Sequence, residues 1–145
     1  MIYVTGPDED KLEAVADSLI VSGVDDIHQL KKGMTIQDIY NEVLGADAIY
    51  MIWGGHRDQL MELSTELGFA IALGKTVYLV QANYLELNRF CNMDGVRIFK
   101  KADDALEALL ADLGESDEQS SIRGLGELDG LGTDPSSGGD PEPVP

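Results

Sequence analysis

Cysteine is nearly absent from this chain, whose 145 residues contain Cys91 alone. One thiol excludes an internal disulfide, and no paired Cys/His spacing exists to hold zinc. Cys91 has no adjacent base and reads as inert. Basic residues are also scarce, 10 against 27 acidic ones, which gives a formal net charge of -17 and a pI near 4.1. Tight wrapping of DNA or RNA needs clustered Lys and Arg, so a nucleic acid polymer is not an expected partner, and neither is an anionic membrane face. Small anionic ligands stay compatible where a local site supplies N–H groups or an Arg. Long apolar runs are missing too: nothing approaches the roughly 18 residues needed to span a bilayer. The opening Met1-Ile-Tyr-Val-Thr-Gly shows neither a basic region nor an apolar signal segment, so an unexported chain in a reducing cytoplasm is expected.

Large apolar residues thin out beyond Gly114. Residues 114–145 hold seven Gly, four Pro, eight acidic residues and one Arg, and no Phe, Tyr or Trp. Such a segment buries too little apolar surface to offset chain entropy, so a disordered acidic tail is expected at 114–145 behind a folded domain at 1–113. The tail reads either as a solubilising segment or as a partner-binding one through Ile122-Arg-Gly-Leu or Leu128 and Leu131. No internal repeat is found.

The folded part alternates two periods. Ile2 to Val4 is a short apolar run ended by Thr5-Gly6-Pro7, and Asp8 to Ser22 carries Leu12, Val15, Ala16, Leu19 and Ile20 at helical spacing, with Asp8 as cap and Gly23 as stop. Val24 to Leu30 reads as a short strand, weakened by Asp25-Asp26. Thr35 then caps a helix through Ile39, Tyr40, Val43 and Leu44 that stops at Gly45. Ala48 to Trp53 is continuously apolar, as a central strand buried on both faces would be. Asp58 to Leu73 repeats apolar residues at 60, 63, 67, 70 and 71, Thr76 to Val80 and Val96 to Phe99 are runs of β-formers, and Ala102 to Leu113 closes as an amphipathic helix. Strands alternating with helices predict a small doubly wound α/β domain, a Rossmann-like or flavodoxin-like parallel sheet of about five strands with helices on both faces. Ligands in that architecture sit beyond the carboxyl ends of strands, which singles out Thr5-Gly6-Pro7, Trp53 to Asp58, and Gln81 to Tyr84.

Each of these places has a structural and a chemical reading. Gly6 lets backbone approach a ligand and the helix after it offers unpaired N–H groups, although Gly6-Pro7 also suits a plain tight turn. Neither the GxGxxG nor the GxxxxGK[ST] pattern is present, which excludes the usual dinucleotide and P-loop sites. Gly54-Gly55-His56-Arg57 is either a solvated turn or a ligand loop, with Arg57 as a phosphate clamp and His56 as a proton donor. Glu62 and Glu66 at i,i+4 could be a solvated stripe. Glu66, however, lies within Leu63-Ser-Thr-Glu-Leu-Gly-Phe-Ala-Ile-Ala-Leu-Gly-Lys, where almost every neighbour is apolar or small. A carboxylate there is expected to be partly desolvated, as a nucleophile or general acid/base requires. His28 reads as a surface or satisfied histidine, and Trp53 and Phe69 as core packing rather than base-stacking groups.

Ala46-Asp-Ala-Ile-Tyr-Met-Ile, a loop, and Glu66-Leu-Gly-Phe-Ala-Ile-Ala-Leu-Gly-Lys-Thr-Val-Tyr-Leu-Val resemble the nucleoside 2-deoxyribosyltransferase-like superfamily, as does the opening Ile2-Tyr-Val-Thr-Gly-Pro. The superfamily includes deoxyribosyltransferases, 2′-deoxynucleoside 5′-monophosphate N-glycosidases and many phage-encoded relatives, and the resemblance covers roughly residues 1–82. It implies that Glu66 is the catalytic glutamate, attacking the anomeric carbon of a deoxyribose and forming a covalent glycosyl-enzyme. It implies that Tyr3 lies near nucleophile and sugar, and that Asp47 is a structural N–H acceptor. It further implies a small-molecule nucleoside or nucleotide as ligand, no cofactor, no metal, and a homo-oligomer of two or more chains.

Three departures accompany the resemblance. The Gly-rich loop that often precedes the glutamate, with its Ser or Asp, is replaced by Gln59-Leu-Met-Glu-Leu-Ser-Thr, where Ser64 is the nearest candidate ligand contact. The second catalytic carboxylate falls on Ile39, so Asp38, one residue off, would serve only through a bulge or register shift. His56 and Arg57 are additions. Two readings stand: an N-glycosidase or deoxyribosyltransferase acting through Glu66 and Asp38 with Tyr3, Gly6, Gly54, Gly55, His56, Arg57 and Ser64 around the ligand, or a non-catalytic nucleotide-binding or interaction domain of the same fold.

Overall fold

The computed structural model describes residues 1–81 and 93–114. Its elements run β1 (Ile2–Thr5), α1 (Glu9–Val21), β2 (Ile27–Gln29), α2 (Ile36–Gly45), β3 (Ala48–Trp53), α3 (Arg57–Ala72), β4 (Thr76–Gln81) and β5 (Val96–Phe99). A last helix, α4, covers residues 102–114. The chain divides into two units, Met1–Leu109 and Leu110–Pro145. The first holds the sheet; of the second, the described residues are 110–114, all helical.

The five strands form one wholly parallel sheet in the order β2-β1-β3-β4-β5. Because successive residues of a strand point to opposite faces, Tyr3, Ile49, Met51, Val77 and Leu79 share one face. They build the main core with Ile39 and Val43 of α2 and Leu63, Leu67 and Ala70 of α3. On the other face the Tyr50 hydroxyl donates to Ala102 O of α4 at 3.1 Å, and burial pushes its pKa up to about 12. Both faces are covered, as the continuous apolar run of β3 required, and the fold is the expected doubly wound α/β domain.

Local signals set the boundaries. The Asp8 side chain accepts from Asp10 N and caps α1. Thr35 and Asp38 form a reciprocal capping box on α2, and His56 and Gln59 form one on α3, so that helix starts at Arg57 rather than at Asp58. β2 is shorter than the expected 24–30, because Ser22 N, Gly23 N and Val24 N are still engaged with the carbonyls of the end of α1. The chain joins the sheet only at Ile27. Lys75 Nζ donates to Leu44 O and Ala46 O at 2.8 and 2.9 Å, satisfying carbonyls that the end of α2 leaves open. Asp47 accepts from the Met1 amine, and its own N–H donates to Met1 O at 2.8 Å, which anchors the start of β3 to that of β1.

The 82–84 part of the third expected ligand loop, Cys91, and the tail from residue 115 lie outside the described residues. Among the described residues no helix is long and apolar enough to cross a membrane, and no group of three or more His, Cys, Asp or Glu could hold a metal ion.

Candidate active site

Strand alternation puts Tyr3 and Thr5, two residues apart on β1, on the face covered by α3. Helical spacing from Leu63 and Leu67 turns Glu66 toward the same place. All three are buried: Tyr3 and Thr5 are 0% exposed and Glu66 is 1% exposed. Glu66 Oε1 accepts from the Thr5 hydroxyl at 2.7 Å and from the Tyr3 hydroxyl at 3.0 Å. Its second oxygen, Oε2, is buried and has no hydrogen-bond partner. One half of the carboxylate is held and the other half is unengaged.

Desolvation by burial raises the Glu66 pKa above the ordinary carboxylate value. The hydrogen bonds from Thr5 and Tyr3 pull it back down, and the nearby charge of Glu62 pushes it up. Burial, then the charge of Glu66, drives the Tyr3 phenol upward. Tyr3 therefore keeps its proton and stays a donor.

Glu66 lines a cavity of about 720 Å³, a size that suits a small organic ligand. The cavity lies where Gly6 and Pro7 leave β1 and the 30–36 connection leaves β2, beside the reversal of strand order between β1 and β3. Gly6, Pro7, Glu9 and Leu12 form one wall; Leu30 to Ile36 and Ile39 form the second; Gln59, Glu62, Leu63 and Glu66 form the third. A Cβ on Gly6 would lie 3.0 Å from Ile52 Cβ and Ile52 O, so a bare backbone is needed there.

Of the named residues Gly6 and Glu66 line this cavity, Tyr3 is bonded to Glu66 without lining it, and the others lie elsewhere. Asp38 is exposed and its carboxylate accepts from Thr35 N at 2.9 Å in the capping box. It lines a second cavity, of about 760 Å³, beside the edge strand β2, while its neighbour Ile39 is the residue on the Glu66 cavity. No bulge shifts the register. His56 is spent as the cap of α3, and Arg57 is exposed on its first turn. Ser64 donates to Leu60 O at 2.8 Å on the outer side of the helix. Gly54 and Gly55 do not line the cavity. Gly55 serves as a tight junction: its φ is 98°, and a Cβ there would lie 2.8 Å from Pro7 Cβ. Gln59 closes this junction, accepting from His56 N at 3.0 Å and donating to Pro7 O at 3.2 Å.

Three features of the site go beyond the sequence reading. Thr5, singled out there only as part of the Thr5-Gly6-Pro7 turn, carries the shorter bond to Glu66, for which the signal is its i,i+2 spacing from Tyr3. Glu62 lies on the cavity wall one helical turn before Glu66, so the i,i+4 pair faces the site. The Lys31-Lys32-Gly33-Met34 connection forms a whole wall. His28 is satisfied, its Nδ1 lying 2.7 Å from Glu42 Oε1, and Phe69 packs edge-on against Tyr40 at 5.2 Å.

Neither a protein-family model nor a curated protein sequence matches the chain. Solved structures do, two of them as follows. One is the CMP N-glycosidase BcmB of Clostridium botulinum, 19% identical, covering 74% of this chain and 96% of that one with a TM-score of 0.52. The other is a 2-deoxyribosyltransferase of Bacillus psychrosaccharolyticus, 20% identical, covering 75% of this chain and 94% of that one, again with a TM-score of 0.52. The chain has the fold of these two proteins, the fold that its resemblance to the nucleoside 2-deoxyribosyltransferase-like superfamily implied.

Proposed function

We propose that the protein cleaves or transfers the N-glycosidic bond of a deoxynucleoside or deoxynucleoside 5′-monophosphate, with Glu66 as nucleophile. The observation that carries this reading is the buried carboxylate on the cavity wall, with Oε1 held by Tyr3 and Thr5 and Oε2 unengaged. In the first step Oε2 forms a bond to C1′ of the sugar as the C1′–N bond breaks, and the base departs with the bonding pair. In the second, water or another base attacks C1′ and releases the carboxylate. Two changes of partner at one carbon need no oxidant or reductant. A 2-deoxy sugar suits the step, since no 2-hydroxyl withdraws electron density from the oxocarbenium-like transition state, which the carboxylate stabilises. The departing base takes its proton from solvent, a role for which the sequence offered His56.

The test is chromatographic: incubation with a panel of deoxynucleosides and their monophosphates, with and without a second free base. Released or exchanged base that vanishes in Glu66→Gln supports the reading, and a blank panel overturns it. A second reading, ligand binding without turnover, draws on the position of Asp38 outside the cavity. Ligand-induced thermal shifts with no base release by the parent chain would favour it.

The working form in this proposal is a homo-oligomer, a dimer at least. Ala70, a small residue of α3, is buried in the core and gives a partner copy no surface. Among the described residues the exposed large hydrophobics are Ile20 and Val21 of α1, Ile36 and Leu44 of α2, Met61 of α3 and Met93, and the proposed interface draws on those of α2 and α3. Light scattering that returned the 15.7 kDa of one chain at micromolar concentration would overturn it.

A further inference from the structure

Thr5 is the least expected member of the site. It is wholly buried, and at 2.7 Å its hydroxyl is closer to Glu66 Oε1 than the Tyr3 hydroxyl is. The carboxylate has two chemically equivalent oxygens, yet both donors converge on one of them. We infer that Thr5 is a positioning residue for Glu66: its hydroxyl anchors Oε1 and so fixes Oε2 as the oxygen presented to the sugar. The inference rests on the reading of Glu66 as nucleophile.

The geometry has an electrostatic consequence. A hydrogen bond to the charged form favours that form, whereas a methyl in the same place would only add to desolvation. The other groups that bear on Glu66 are the Tyr3 hydroxyl from β1 and Glu62 from α3 itself, with Glu9 of α1 and Lys31 and Lys32 of the 30–36 connection on the walls of the same cavity. Of these, only Tyr3 shares with Thr5 a direct bond to the carboxylate among the described residues. Removing the Thr5 hydroxyl leaves a single donor and a freer carboxylate.

The experiment follows the Glu66 carboxyl by NMR in the full chain labelled with carbon-13 at the glutamate side-chain carboxyls, its signal identified by its absence in Glu66→Gln. Thr5→Val keeps the volume and loses the hydroxyl, Thr5→Ala loses it without adding a methyl against the carboxylate, and Thr5→Ser keeps it. The Glu66 titration midpoint is expected to rise by about one pH unit in the Val and Ala variants and to stay in place in Ser. In the base-release assay kcat is expected to fall about tenfold in Thr5→Val with KM unchanged, and the acid limb of the pH profile to rise with the NMR midpoint. A midpoint that stays in place in either the Val or the Ala variant, with base release by the parent chain intact, overturns the assignment of Thr5 alone. An equal rise in Thr5→Ser overturns it too, since packing rather than the hydroxyl would be responsible. Absent base release by the parent chain overturns the nucleophile reading, and with it the role of Oε2.

Discussion

Tyr3 and Glu66 stand 63 positions apart and share a buried hydrogen bond of 3.0 Å. Because burial and the charge of Glu66 both hold the phenol in its protonated form, the donor persists across the working range of pH. Tyr3→Phe is expected to lower base release by about tenfold to a hundredfold, the usual worth of a hydrogen bond to a charged group. Steady-state kinetics on the best substrate of the panel check it, and an unchanged kcat would contradict it.

The same burial sets the acid limb of activity. Glu66 must be ionised to attack, and its pKa lies above the ordinary 4.5. The kcat/KM profile is therefore expected to fall on the acid side at a pH above that of a free glutamate, and a limb at or below 4.5 would contradict the desolvated carboxylate.

Glu66 also carries a cost in stability. With its pKa raised in the fold above the unfolded value, the folded chain binds the proton more tightly than the unfolded chain. Stability is greatest below the unfolded value, falls as pH rises through the folded one, and is flat beyond it. Glu66→Gln is expected to raise stability at pH 8, a gain that shrinks toward pH 4. Calorimetry at the two pH values tests the sign.

The junction of the two ligand-side loops gives a backbone test. Gly55→Ala meets Pro7 Cβ and a positive φ together, and is expected to destabilise by about 2–3 kcal/mol. Gly33→Ala, at φ 86° with nothing within 4 Å, meets the backbone penalty alone and is expected to cost about 1 kcal/mol. Urea midpoints of the pair, in that order, are the measurement.

How much of this was legible in the sequence varied with the kind of signal. Glu66 stood out because a lone carboxylate among apolar helix positions must be buried, whatever buries it. The central strand β3 and the helix after it were readable for the same reason. Asp38 misled because the family pattern drew attention to its carboxylate, while Thr35-x-x-Asp38 was already a capping pattern that gives that carboxylate a partner. His56 misled in the opposite way, since histidine is an uncommon cap and its pairing with Gln59 is seen only in the fold. The 30–36 cavity wall is hard to read because β2 is short: three residues between an acidic turn and Leu30 leave the strand's end, and so the ligand-side connection after it, unmarked in the sequence. Thr5 was in plain view, but a threonine on a buried strand reads as a β-former until the helix opposite is placed.

All four residues of β1 are buried, Ile2 and Val4 on one side of the sheet and Tyr3 and Thr5 on the other. A strand hidden on both sides gets little guidance from hydrophobicity about its alignment, for a slide of one residue against β3 would still bury apolar groups. That slide would carry both hydroxyls to the opposite side and strand the Glu66 carboxylate in the core without a donor. The two polar atoms that prepare the carboxylate for chemistry thus also act as an alignment mark for the sheet, so a misregistered chain is penalised in folding by the same groups whose loss would silence it as a catalyst.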